Sequence, residues 1–421
     1  MNVVIKPHKL SGDVVIPPSK SLSHRAIIAA SLAEGTSVIS NVLYSKDIRA
    51  TIAAMRACGA RITEHETWLE VTGSPVRRIE RIIDADESGS TIRFMIPIAL
   101  VCGEPITFTG KNRLVERPLD PFFDIFDEQG ISYQRYENYL PLEVNGGLKP
   151  GVFHIRGDIS SQFITGLLYA LPLLNADSTI ILTTPLESKG YVDLTLDMLA
   201  KFGIDIQNKE YKEFYIRGGQ VYRPYDYTIE GDFSQSAFFL VADCLGADIT
   251  LHAMNPDSHQ GDKKIIRDIL DMGGKISFEK DKLKAFPVKT KGCVIDFSQS
   301  PDLGPALSVL GALSAGVTEF VNASRLRIKE CDRISCMKEE LEKLGAQIVE
   351  NPDGMTIMGV ERLLGGTVDS HNDHRVAMAL AMASIKAKDN IRIMNAECVA
   401  KSFPHFWEVF EAIGGEISYE K

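Results

Sequence analysis

The chain has 421 residues, 44% hydrophobic and 24% charged, with a mean hydropathy of −0.02, which suits a folded protein of two or three domains and excludes a disordered chain. A formal net charge of −10 argues against non-specific nucleic-acid binding, and no apolar run is long and clean enough to span a bilayer. Seven scattered cysteines without a CxxC pair argue against a disulfide framework or a zinc site, and MNVVIKPHKLSG lacks the features of an export signal, so a cytoplasmic protein is expected.

In chain order, the strand-like MNVVIK comes first, and then a period sets in. PPSKSLS supplies cap-forming residues ahead of RAIIAASLA, a helix apolar all round; IRATIAAMRACGARI then reads as an amphipathic helix ended by glycine, followed by a hairpin, ARITEHETWLEVTG. The same order returns. DESGS precedes TIRFMIPIALV and LDPFFDIFDEQGISY; GDISS precedes QFITGLLYALPLL and VDLTLDMLAKFGIDI; GDFS precedes QSAFFLVADCLG and KKIIRDILDMGGKI. SPDLG precedes PALSVLGALSAG and RISCMKEELEKLGAQI, and DSHND precedes HRVAMALAMASI and FPHFWEVFEAIGGEI. The terminating glycines, Gly59, Gly130, Gly203, Gly273, Gly345 and Gly414, are separated by 71, 73, 70, 72 and 69 residues, the signature of a sixfold repeat.

Each repeat reads strand, helix, strand, helix, strand, strand. The sixth stops at GGEISYEK without its last strand, while MNVVIK belongs to no repeat, so the N-terminus is expected to complete it. The prediction is an α/β protein of two three-repeat domains, one continuous over 14–228 and one made of 1–13 with 229–421, joined by two chain crossings that form a hinge. Unusual residues gather at the N-termini of the apolar helices, where free N–H groups and the helix dipole favour anions. Two domains facing each other with such ends would enclose a cleft suited to phosphates and carboxylates.

Three constellations stand out. PPSKSLSHRA carries Lys20, Ser21 and Arg25, the last two on one helix face. RLRIKECDRI groups Lys329, Glu330 and Arg333 where the fifth amphipathic helix begins, although routine ion pairs with Glu330 and Asp332 would also account for its cations. SHNDHRVAMALAMA sets Asp373, His374 and Arg375 at the mouth of an apolar helix, where charges require a partner or a ligand.

Together with GSTIRF, VERP, GDISSQF, ESKGY, SPDLG and VAKSFP, in matching order and spacing, these motifs resemble those of the 5-enolpyruvylshikimate-3-phosphate synthase family over essentially the whole chain. The resemblance implies two inside-out α/β barrel domains, each of three βαβαββ repeats. It implies transfer of the enolpyruvyl group of phosphoenolpyruvate to the 5-hydroxyl of shikimate 3-phosphate, with a phosphoenolpyruvate site at Lys20, Gly89, Arg117, Gln162, Arg333, Arg375 and Lys401. Five of these are cationic, as a ligand with a phosphate and a carboxylate demands. It implies a shikimate 3-phosphate site at Ser21, Arg25, Ser160, Ser161, Ser188, Tyr191, Asp302 and Lys329, with Asp302 as base toward the hydroxyl and Glu330 as acid and then base toward the methyl carbon. Lys20 and His374 are expected to assist.

By the same resemblance the enzyme is expected to need no cofactor or metal, to have no nucleic-acid or membrane partner, to act as a monomer in chorismate and aromatic amino acid biosynthesis, and to bind glyphosate in place of phosphoenolpyruvate. Two departures are visible: Glu87, Ser88, Gly89 and Ser90 stand where many members have Asn-Ala-Gly-Thr, and Arg325 where an Asn often lies. The sister transferase acting on UDP-N-acetylglucosamine would present an Asn after the first Lys and a reactive Cys near Arg117; here Ser21 follows Lys20, and GKNRLVERPLDPFFDIF has no cysteine. A non-catalytic anion-binding repeat protein is the other alternative, and retention of Asp302 and Glu330 argues against it.

Overall fold

The computed structural model describes residues 1–420, which divide into two compact units. Pro18–Ile229 is continuous; the other, discontinuous unit joins Met1–Pro17 to the chain from Glu230 onward. In chain order the α-helices are α1 (Lys20–Leu32), α2 (Lys46–Ala57), α3 (Gly89–Ala99), α4 (Asp120–Gln129), α5 (Ser161–Ala170), α6 (Lys189–Lys201), α7 (Phe233–Cys244), α8 (Lys264–Asp271), α9 (Gly304–Ala312), α10 (Arg333–Lys343), α11 (His374–Ala383) and α12 (Phe406–Ala412).

The apolar and amphipathic patterns separate these helices into two kinds. The odd-numbered helices are the apolar ones, and every residue of α7, α9 and α11 is buried. Their small residues allow close contact: a Cβ added at Gly166 of α5 would lie 2.4 Å from the Arg93 carbonyl oxygen and 2.7 Å from Pro97 of α3. The even-numbered helices bury one stripe, as α2 does with Ile48, Ile52 and Met55. Beyond their ends, all six repeat glycines adopt positive φ, from 67° at Gly130 to 109° at Gly59, which is why glycine recurs there.

The strands form six four-stranded sheets, three in each unit. In each, two strands pair in parallel and two more are added antiparallel, in five of the six as a hairpin; Ile82–Asp84, Ile106–Thr109, Leu142–Asn145 and Ser132–Arg135 form one such sheet. The N-terminal strand Asn2–Lys6 lies between Ile391–Met394 and Glu416–Glu420 in the sixth sheet.

The expected division at residue 14 is displaced. Ser11–Val15, just ahead of α1, pairs in parallel with Asp248–His252, whereas Tyr227–Thr228 pairs with Gly35–Ser40 and opens the α1 sheet. The two repeats thus exchange first strands, and the boundary lies at Pro18. Packing is the reason: Leu10, Val14 and Ile16 join the apolar core of the discontinuous unit, alongside Val3, Ile5 and Phe239.

Candidate active site

Side chains at the starts of five of the six apolar helices cap them as the sequence suggests: Ser19, Ser88, Ser160, Asp232 and Asp373 each accept a backbone N–H bond. α9 is the exception. Pro301–Leu303 forms a 3₁₀ turn ahead of it and no side chain caps it, so Asp302 is spent on other partners.

In the continuous unit, Lys20 opens α1 and its Nζ lies 2.8 Å from Asp47 Oδ2 on α2. Arg25, one turn further and buried, donates from Nε to the Thr195 hydroxyl (2.9 Å) and from its two terminal nitrogens to the carbonyls of Ser21 and Tyr191 (both 2.8 Å), with its guanidinium 5.4 Å from the centre of the Phe94 ring. His24, between them in sequence, is buried with Nδ1 2.7 Å from the Thr51 hydroxyl. Burial, then the charges of Lys20 and Arg25, push its pKa well below the usual histidine value, so it is a neutral core group.

Gly89 begins α3 against Arg117: a Cβ there would meet the Arg117 guanidinium at 2.6 Å. Arg117 is 8% exposed, and its Nε is buried without a hydrogen-bond partner among the described residues. Such a donor calls for an acceptor from outside the chain. Gln162, in the first turn of α5, donates from Nε2 to Ser90 Oγ (2.9 Å) and accepts from Arg93 through Oε1 (2.8 Å). Ser160 caps α5, the Ser161 side chain is buried beside it, and Ser188 is held at φ 54° ahead of α6, whose first turn carries Tyr191.

In the discontinuous unit the chemistry is denser. Asp302 Oδ1 lies 3.2 Å from Lys329 Nζ and 2.9 Å from Arg333, while Oδ2 is 3.2 Å from Arg375. Glu330 Oε2 meets another nitrogen of the same Arg333 at 2.7 Å, and Arg333 Nε donates to Asp373 at 2.7 Å. Of the two routine partners the sequence offered, Glu330 is bonded to Arg333, while Asp332 caps α10 and pairs with Arg327 at 2.8 Å. Arg375 also donates to Ser234 Oγ (3.2 Å), Lys401 donates to the Asn372 carbonyl (2.7 Å), and His374 is buried with Nδ1 3.8 Å from Asp373.

Desolvation works against these cations, and their partners decide the outcome. Lys329 is pulled down from 10.5 to about 8, chiefly by burial, because the Asp302 attraction is offset by Arg325 and Arg333. Burial also depresses Arg333, but Asp373, Glu330 and Asp302 together hold its pKa well above the ordinary value, so it stays charged.

In the discontinuous unit Asp302, Lys329, Glu330, Arg333 and Arg375 form one bonded cluster, while in the continuous unit Arg25 bonds the Ser21 and Tyr191 carbonyls and Gly89 abuts Arg117. Asp47, Arg93 and Ser234 join them, as does Asp373, which the sequence singled out without giving it a role. Arg93 carried a readable signal, a cation inside an apolar helix, and Ser234 stood in the GDFS cap; Asp47 carried none.

The three-repeat architecture and the anion-directed helix ends define an enolpyruvyl-transferase fold: the enolpyruvyl transferase NikO from Streptomyces tendae superimposes with a TM-score of 0.82 over 100% of this chain and 98% of its own, at 18% identity, which speaks to fold alone. An EPSP synthase from Acinetobacter baumannii gives a TM-score of 0.80 at 26% identity, covering 99% of this chain and 100% of its own. Residues 4–410 match the family model for EPSP synthase (3-phosphoshikimate 1-carboxyvinyltransferase), and the chain belongs to that family. Relatives named 3-phosphoshikimate 1-carboxyvinyltransferase include one from Clostridium novyi, 51% identical over 99% of this chain and 98% of its own, and one from Clostridioides difficile, 49% identical over 98% and 97%.

Proposed function

We infer that this chain transfers the enolpyruvyl group of phosphoenolpyruvate to the 5-hydroxyl of shikimate 3-phosphate, releasing phosphate, as a step of aromatic amino acid biosynthesis. The observation that carries the reading is that Asp302 and Glu330 bond to two nitrogens of one guanidinium, Arg333, at 2.9 and 2.7 Å. Two carboxylates held about a shared cation can exchange protons with two different atoms of one reacting centre. The family membership names the centre.

In this reading Asp302 takes the proton of the 5-hydroxyl as its oxygen bonds to C2 of phosphoenolpyruvate, and Glu330 gives a proton to C3. The product is a tetrahedral ketal. Glu330 then withdraws a proton from the new methyl group as the bond from C2 to the phosphate oxygen breaks, which restores the double bond and frees phosphate. Lys20, Arg117, Arg333, Arg375 and Lys401 hold the carboxylate and phosphate of phosphoenolpyruvate, with Gly89 leaving room and Gln162 adding an amide; Lys20 and His374 stabilise developing charge. Ser21, Arg25, Ser160, Ser161, Ser188, Tyr191 and Lys329 hold shikimate 3-phosphate, the paired serines at the α5 N-terminus suiting its phosphate. The reading also carries a monomer working in the cytoplasm; among the described residues no helix is long and apolar enough to cross a membrane.

The test is phosphate release by the purified protein. With both substrates present, phosphate is expected at a steady rate, and with either omitted, none. Release from phosphoenolpyruvate alone would contradict the transfer.

A further inference from the structure

Asp373, His374 and Arg375 are delivered by a short segment whose backbone is unusual. His371 and Asn372 are consecutive non-glycine residues at φ 51° and 55°. Asn and His tolerate this left-handed region better than most side chains, yet two in succession are costly and persist only where neighbours hold them. The Asn372 carbonyl so presented accepts the Lys401 Nζ bond (2.7 Å), and two residues on, Arg375 begins its reach to Asp302.

What holds the segment is α10. Arg333 in its first turn bonds Asp373, at one end of the segment. Seven residues later, on the same helix face, Glu340 bonds the other end. Glu340 is fully buried, and its carboxylate accepts from the backbone N–H of Asp369 at 3.0 Å and from Nε2 of His371 at 2.6 Å. Lys343 reaches the same carboxylate at 2.9 and 3.0 Å. Glu339, Glu340 and His371 form the one group of metal-ligating type identified among the described residues, but Lys343 already supplies its cation, bonding Glu339 as well at 2.8 Å.

A buried carboxylate on an outer helix, two turns from the reacting groups, is more than packing requires, since burying an ionised group is unfavourable unless it is fully bonded. We propose that Glu340 is a positioning residue for phosphoenolpyruvate binding, fixing the strained His371–Asn372 pair and through it the aim of Arg375 and the anchor of Lys401. This rests on the assignment of those two cations to phosphoenolpyruvate. Shikimate 3-phosphate, assigned mainly to other side chains, is affected little.

The titratable groups facing His371 are Cys336 and Glu340 on α10, with Asp369 receiving its backbone N–H at 2.7 Å and Lys343 and Glu339 beyond Glu340. Bonding to Cys336 and then to Glu340 holds the imidazole protonated, its pKa raised to about 10. Its charge is therefore present below about pH 10 and is lost above it. Without the Glu340 charge part of that support is lost and its titration moves down, while the larger Cys336 bond remains.

The experiment measures kcat and both KM values from pH 6 to 9 for wild type, Glu340→Gln, Glu340→Asp, His371→Ala and Arg375→Gln. Glu340→Gln is expected to raise the phosphoenolpyruvate KM about tenfold with the shikimate 3-phosphate KM within about twofold. Glu340→Asp should recover part of the loss. If Glu340→Gln does not fold, His371→Ala, at a half-buried position, reads the same link and should raise the phosphoenolpyruvate KM to a similar extent. Unchanged phosphoenolpyruvate KM in folded Glu340→Gln or His371→Ala, with a large rise in Arg375→Gln, overturns the proposal. No rise in Arg375→Gln overturns the site assignment on which it stands.

Discussion

The two functional clusters use cations in contrasting ways. In the cluster of the continuous unit Lys20 pairs with a carboxylate, Asp47 at 2.8 Å, whereas Arg25 is held by a hydroxyl and two carbonyls, Arg93 bonds the Gln162 amide and the Pro118 carbonyl, and Arg117 leaves Nε without a partner among the described residues. In the discontinuous unit Lys329, Arg333 and Arg375 all touch Asp302, and Arg333 touches Glu330 and Asp373 too. A cation held by neutral oxygens keeps its charge for an incoming anion. One threaded among carboxylates instead sets how those carboxylates hold protons. The contrast teaches a division of labour: proton transfer should depend on the second cluster, while substrate affinity draws on cations of both.

The comparison breaks most sharply at the carboxylates. Asp302→Asn and Glu330→Gln are each expected to cut kcat by about 10²–10⁴-fold while both KM values stay within about threefold, in steady-state assays. A rise in KM with kcat preserved would move these residues to binding and erase the division. Next in size is Arg25→Ala, which should lower kcat/KM for shikimate 3-phosphate by about a hundredfold, nearly all through KM, since a buried charge-assisted contact is lost.

A smaller effect is expected at Gly89. The methyl group of Gly89→Ala would displace the Arg117 guanidinium, which approaches to 2.6 Å of the new carbon, so the phosphoenolpyruvate KM should rise about tenfold. Inhibition by glyphosate, competing for the same place, should weaken more; inhibition curves at fixed phosphoenolpyruvate check this. The smallest effect sharpens the contrast through pH. Because Lys329 sits at about 8 rather than 10.5, its charge is present below pH 8 and fades above it. The shikimate 3-phosphate KM should therefore climb above pH 8, by up to roughly tenfold per unit, and Lys329→Arg should remove the inflection.

The repeat and its apolar helices were legible because a glycine cap and a helix without a polar face leave marks in composition. The exchange of Ser11–Val15 with Tyr227–Thr228 was not, because alternation marks a strand without naming its sheet. The motif residues were likewise legible as positions, while their partners were not: Asp47 lies on α2, brought to Lys20 only by packing. SPDLG read as a cap, and the structure turns Asp302 away from α9 and into the cations. The basicity of Lys329 depends on burial among Arg325, Arg333 and Asp302, which no local pattern encodes.

Following the proton itself tests the division most directly. In deuterated water, reversible addition and elimination must exchange the C3 hydrogens of phosphoenolpyruvate once shikimate 3-phosphate is bound, and proton NMR reads the loss of their signals. The account predicts exchange in wild type and, at saturating shikimate 3-phosphate, in Arg25→Ala, but its near abolition in Glu330→Gln with shikimate 3-phosphate binding intact. Exchange at the wild-type rate in Glu330→Gln would contradict it.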